Sequence, residues 1–212
     1  MKTIILDFDG TIADSFEVVI SILHALVKRT NPVSPEEIAA LRQMRLIDIA
    51  QTEKIPRWRV PFLLIRGRRM LATRLDEVTL FNGMEDVISR LAASGHPLYL
   101  MSSNSGSNVK YFLTRHHLKR YFKNIYGGVG LYGKARALRR IMRQNHLAPA
   151  DCIYVGDEPR DIQGAHEAGM ACVAVSWGYT AKELLLAHQP QAVASNPKDL
   201  LRTIKRLDDR PL

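Results

Sequence analysis

The sequence predicts an α/β fold: a parallel sheet covered by helices on both faces, with a block of helices inserted into it. Three observations carry this. From about residue 82 onward, short apolar runs alternate with stretches of helical period. A further apolar run, Thr3 to Phe8, stands far ahead of that series. Between the two, residues 15 to 80 show only helical spacing. The division expected is a core of residues 1–14 and 82–212 and a helical cap of residues 15–81.

In order, Thr3 to Phe8 reads as a strand. Asp14 to Lys28 reads as a helix, with Phe16, Val19, Ile20, Leu23, Leu26 and Val27 at helical spacing. Asn31-Pro32 and Ser34-Pro35 interrupt the chain, and Ser34 suits a helix cap before Pro35, Glu36 and Glu37. Helical periods follow to Glu77, broken at Pro56 and Pro61. Then come helix Met84 to Ala93, strand Pro97 to Met101, helix Ser107 to His117, a short strand near Ile125, and helix Gly133 to Asn145. Strand Cys152 to Val155, helix Ile162 to Ala168, strand Ala171 to Val175, helix Ala181 to Ala187, strand Ala192-Val193 and helix Pro197 to Leu207 complete a Rossmann-like core. The tail from Asp208 to Leu212 is expected to fray.

The chain has 212 residues, 46% of them hydrophobic, which suits one domain with a modest insertion. No apolar run approaches the roughly 20 residues of a membrane helix. No basic segment with an apolar stretch precedes the first strand, so no signal peptide is expected. Cys152 and Cys172 lie in apolar strand-like stretches with no metal-ligand spacing, which predicts two buried thiols and a reducing, cytoplasmic setting. The net charge of +9 favours anionic partners without choosing among nucleic acid, lipid and metabolite.

In open parallel sheets, ligands bind beyond the carboxyl ends of the strands. After the first strand stands Asp7-Phe8-Asp9-Gly10-Thr11. After the second stands Ser102-Ser103-Asn104, and after the strand at 152 stands Gly156-Asp157-Glu158-Pro159-Arg160-Asp161. Lys134 follows Tyr132-Gly133 at a helix start. Each alone has a bland reading: a turn, a helix cap, a surface lysine, a strand exit. Together they put acids, hydroxyls and one lysine at the same sheet edge. Buried carboxylates are costly unless paired or bound to a cation. Magnesium takes oxygen ligands, and Asp7, Asp157 and the backbone carbonyl of Asp9 suit it; Mn²⁺ is an alternative. Asp7, Asp9 and Asp157 are therefore the candidate metal residues, with Glu158 as a lesser alternative.

These motifs, in this order, resemble the haloacid dehalogenase superfamily from end to end. The helical block after the first motif, and Val175-Ser176-Trp177-Gly178-Tyr179, resemble its phosphoglycolate phosphatase-like branch with a small helical cap. The resemblance implies that Asp7 is the nucleophile forming an aspartyl phosphate. It implies that Asp9 is the general acid and base, and that Ser102, Ser103, Asn104 and Lys134 hold phosphate. Asp161 would orient Lys134 or a metal-bound water, with Thr11 and Glu158 in support. An acid at position 9 suits an alkoxide leaving group and favours phosphate monoester hydrolysis of a small anionic metabolite over dehalogenation. A phosphosugar mutase of the same fold remains an alternative.

Between Arg42 and Arg74 stand Arg42, Arg45, Lys54, Arg57, Arg59, Arg66, Arg68, Arg69 and Arg74, opposed only by Asp48 and Glu53. This run reads as a solvated helix face, as a lid attracting an anionic substrate, or as a nucleic-acid or anionic-surface binder. The positions of Arg66, Arg68 and Arg69 do not form one helical stripe, which disfavours nucleic acid. Trp58 and Phe62 nearby could join basic residues in binding a single strand, and fit packing inside the helical block equally well. A monomer or homodimer is expected.

Overall fold

A computed structural model describes residues 1–29, 34–41, 44, 55–130 and 133–209. Asn31-Pro32, Arg42, Arg45, Asp48, Glu53, Lys54, Tyr132 and the tail beyond Asp209 lie outside the described residues, as does the side chain of Arg57.

The main sheet has six strands: β1 (Thr3–Leu6), β4 (Leu98–Met101), β5 (Phe122–Tyr126), β6 (Cys152–Gly156), β7 (Ala171–Val175) and β8 (Ala192–Ala194). Their order is β5-β4-β1-β6-β7-β8, and every neighbouring pair is parallel. β1 sits centrally, with Ile4 beside Leu98 on one side and Ile153 on the other.

Strand alternation divides the interior into two layers. Ile4, Leu6, Leu98, Leu100, Ile153, Val155, Val173 and Val175 face one cluster. Ile5, Tyr99, Met101, Tyr154 and Cys172 face the other. The first cluster is closed by α4 (Met84–Ala93), α5 (Gly106–Arg115) and α9 (Pro197–Asp208) through Ile88, Phe112 and Ile204. The second is closed by α6 (Lys134–Gln144), α7 (Pro159–Ala168) and α8 (Lys182–Ala187) through Leu138, Ile162 and Leu185. The expected Rossmann-like α/β architecture is the one observed.

The intervening stretch contains α1 (Phe16–Leu26), α2 (Pro35–Leu41) and α3 (Val60–Ala72). Ser34 caps α2 by accepting from the Glu37 amide at 3.2 Å, and Glu37 in turn pairs with Arg29. Val18, Ile22, Leu71 and Leu75 join the same cluster as β1, so these helices share a core with the sheet. The all-helical reading of residues 15 to 80 needs one correction. β2 (Ala13–Asp14) and β3 (Thr79–Leu80) form a two-stranded antiparallel ladder where the chain leaves and re-enters the α/β part. Two-residue strands have no periodicity to read.

Of the two readings of Trp58 and Phe62, packing in a cap core does not hold, since they are 71% and 68% exposed. The Arg59 guanidinium lies 5.8 Å from the Trp58 ring. Both cysteines are buried and unpaired. Among the described residues no helix is long and apolar enough to cross a membrane.

Candidate functional site

β1 ends at Leu6, but the Asp7 amide still donates to the Val155 carbonyl at 2.8 Å, so Asp7 leaves the sheet in line with β6. The chain then turns. The amides of Ile12 and Ala13 both donate to the Phe8 carbonyl at 2.9 Å, and Gly10 adopts φ 76°. Phe8 points inward and meets Phe112 edge-on, with ring centroids 5.1 Å apart. An apolar residue thus anchors the turn in the core between two acids.

Lys134 begins α6, and its ammonium lies inside the protein. It donates to Asp7 Oδ2 at 2.5 Å, to Asp161 Oδ1 and, at 3.4 Å, to the Tyr154 hydroxyl. Gly164 on α7 permits this, since a Cβ there would lie 2.9 Å from the Lys134 Cβ. Asp161 is fixed by a capping box with Glu158 at the start of α7; its Oδ2 accepts from the Glu158 amide at 2.9 Å. Helix start and site therefore use the same residue.

Asp157 is fully buried. It accepts from the Thr11 hydroxyl at 3.0 Å and the Tyr179 amide at 2.8 Å. Carboxylate oxygens of Asp7, Asp157 and Asp161 all lie within 4.8 Å of one another. Burial pushes the Asp7 carboxyl up to about 7 against the pull of Lys134. Burial, and then Glu158, Asp161 and Asp7, push Asp157 well above its ordinary value. Burial draws the Lys134 ammonium down, but Asp161 and Asp7 outweigh it and hold the group above its usual range. Two of these carboxylates, Asp7 and Asp161, share Lys134, and Asp157 has no cation partner of its own, a donor set suited to a hard divalent cation.

Asp9 stands apart from that trio. Its Oδ1 accepts from the Ser15 hydroxyl at 2.7 Å and its Oδ2 from the side-chain Nδ2 of Asn104 at 3.3 Å. Since Ser15 gives its proton to Asp9, the Tyr179 hydroxyl 2.6 Å away donates to Ser15. Burial raises Asp9, and the Ser15 and Asn104 hydrogen bonds only partly offset it. Across the site, the Ser102 hydroxyl oxygen accepts from the Asn104 amide at 2.9 Å and keeps its proton for another acceptor. Ser103 lies between them, half-buried. Trp177 packs on the rim as expected, donating to the Thr11 carbonyl at 3.1 Å.

Every site residue expected from the sequence thus lies at one edge of the sheet. Sequence reasoning missed Ser15, Tyr154, Tyr179 and the unusual state of Arg160. Arg160 pairs through Nε with Glu158, while its Nη1 is buried without a hydrogen-bond partner. Tyr179 was legible only inside the stretch from Val175; the others carry no local signal.

Gly10→Ala is expected to cost roughly 1–3 kcal/mol of stability. The residue has positive φ, and a Cβ would fall 2.1 Å from Asp157 Oδ2. Urea denaturation of wild type and variant measures this.

The sequence profile of the haloacid dehalogenase-like hydrolase family matches residues 4–175. The chain is 34% identical over 209 residues to a phosphoglycolate phosphatase of Synechococcus elongatus, covering 98% of this chain and 99% of that protein. It is 32% identical over 126 residues to a 5′-nucleotidase of Pseudomonas aeruginosa, covering 58% and 57% of the two chains. A haloacid dehalogenase-like hydrolase from Streptococcus pneumoniae superposes with a TM-score of 0.79 at 23% identity, covering 96% of this chain and 98% of that one. The family match over most of the chain and the near full-length relative together show that this chain is an enzyme of the haloacid dehalogenase-like hydrolase family.

Proposed function

We propose that the protein is a magnesium-dependent phosphatase that hydrolyses a small phosphate monoester, phosphoglycolate being the first candidate. The observation that carries this reading is the buried trio of Asp7, Asp157 and Asp161, two of them held by Lys134, with Asp9 beside it in a separate hydrogen-bonded setting. The near full-length likeness to a phosphoglycolate phosphatase supports the substrate.

Asp7 attacks phosphorus and becomes an aspartyl phosphate while the ester oxygen departs. Asp9, whose carboxyl burial shifts upward, gives that oxygen a proton, then takes one from the water that cleaves the intermediate. Lys134, Ser102 and the Ser103-Asn104 segment hold the phosphoryl oxygens, and Asp161 keeps Lys134 in place. The carboxylates of Asp7 and Asp157 and the backbone carbonyl of Asp9 would hold Mg²⁺, or Mn²⁺ in its place, with Thr11 and Glu158 in support. The cation would neutralise charge on the transferring group.

In this reading residues 1–14 and 82–212 form the catalytic core and residues 15–81 the cap. The ladder between β2 and β3 is the joint about which the cap closes and excludes water. Two free buried thiols favour a reducing, cytoplasmic setting.

Release of inorganic phosphate from an aryl phosphate, with Mg²⁺ and with excess chelator, tests the reading. Release that stops with chelator is expected, followed by a preference for phosphoglycolate over hexose phosphates. Isomerisation of a hexose phosphate without free phosphate would replace it with the mutase. Absence of any turnover by folded, Mg²⁺-loaded protein would reject both.

A further inference from the structure

We propose that Arg160 recognises a second anionic group on the substrate, a carboxylate one methylene away from the phosphate ester oxygen. The inference rests on the phosphatase reading and assigns it a specificity-determining residue.

Arg160 is the second residue of α7, directly between Glu158-Pro159 and Asp161. Glu158 engages Nε, and the Nη1 group, fully buried, has no partner. A buried N–H of a cation without an acceptor is costly, and native structures seldom retain one without a reason. A bound anion supplies the acceptor. Guanidinium is the side chain best shaped for it, since its planar fork matches two carboxylate oxygens.

The position suits a short substrate. Arg160 adjoins Asp161, which holds Lys134, and its Nε pairs with Glu158, the neighbour of Asp157, so the start of α7 sets it beside the acidic cluster. Lys134 is taken up by Asp7, Asp161 and, in the proposed reaction, the phosphoryl group. Arg160 is held by one partner through one nitrogen and keeps donors to spare. Other described arginines, such as Arg59, Arg66 and Arg69 in the helical stretch, are exposed and are solvated without a ligand.

The test compares phosphoglycolate with ethyl phosphate, which has a methyl group in place of the carboxylate. The readout is the ratio of kcat/KM for the two esters in wild type, Arg160→Gln and Arg160→Lys. In Arg160→Gln the ratio falls at least about tenfold, mainly through KM for phosphoglycolate, and Arg160→Lys retains part of it. A ratio unchanged in Arg160→Gln, or equal loss on both esters, overturns the inference and leaves Arg160 as a brace for Glu158. If wild type cleaves neither ester, the phosphatase reading fails on its own. Calorimetric titration with phosphoglycolate then decides: a weakening confined to Arg160→Gln supports the inference, and equal affinity in both proteins overturns it.

Discussion

Asp7→Asn is expected to reduce metal-dependent phosphate release by about 10⁴-fold or more, because it removes the attacking oxygen while leaving the shape of the site intact. Phosphate release under single-turnover conditions measures it. Retained turnover would move the nucleophile elsewhere. The same variant has a second expected effect with a definite sign. The folded protein holds Asp7 at about 7, above the 3.8 of an ordinary carboxyl. Between those values the folded state binds more protons than the unfolded one, so this group's contribution to stability is lost as pH rises through that window. Asp7→Asn has no such loss. In metal-free buffer its Tm, relative to wild type, should climb from about pH 5 to about pH 8. Added Mg²⁺ should shrink the difference by compensating the ionised acid in wild type. A difference that stays flat with pH would contradict the raised carboxyl.

Lys134→Ala is expected to be the most destabilising single change at the site, by roughly 3–5 kcal/mol at neutral pH. Asp7 and Asp161 both lose their cation while buried, and the Tyr154 hydroxyl loses its donor. Replacing a paired buried charge by nothing costs more than the pair itself contributes, because the partners stay desolvated. Urea denaturation should show the midpoint shifted with little change in slope, and millimolar Mg²⁺ should recover part of the loss. Phosphate turnover should vanish even where the variant is fully folded. A variant as stable as wild type would mean that the two acids are protonated in the resting protein.

The parts of this molecule that were legible before any coordinates share one property. Asp7, Ser102, Lys134 and Asp157 stand at strand exits or helix starts, where the change from a two-residue to a helical period is visible in the chain itself. Asp161 was legible as part of the acidic segment, and its Oδ1 accepts from the Lys134 ammonium. What escaped depends on distant partners. Ser15 acquires its place from Tyr179, 164 residues away, and from a ladder whose strands are two residues each. Arg160 reads as any helix-start arginine until the burial of Nη1 is known. Helix α7 was expected at Ile162 and begins at Pro159, because the capping box lengthens it by a turn through side-chain bonds that periodicity does not register.

The central position of β1 also governs how the molecule is made. Ile4 pairs with Leu98 and Ile153, 94 and 149 positions along the chain. Neither neighbour is local, so closing these loops spends chain entropy before the sheet returns any contact energy. Folding should be slow for a protein of this size, and an unpaired β1 presents Ile4, Ile5 and Leu6 with both edges open to other chains. Until β6 arrives, the strand that leads into Asp7 is also the segment of the nascent enzyme most prone to aggregate.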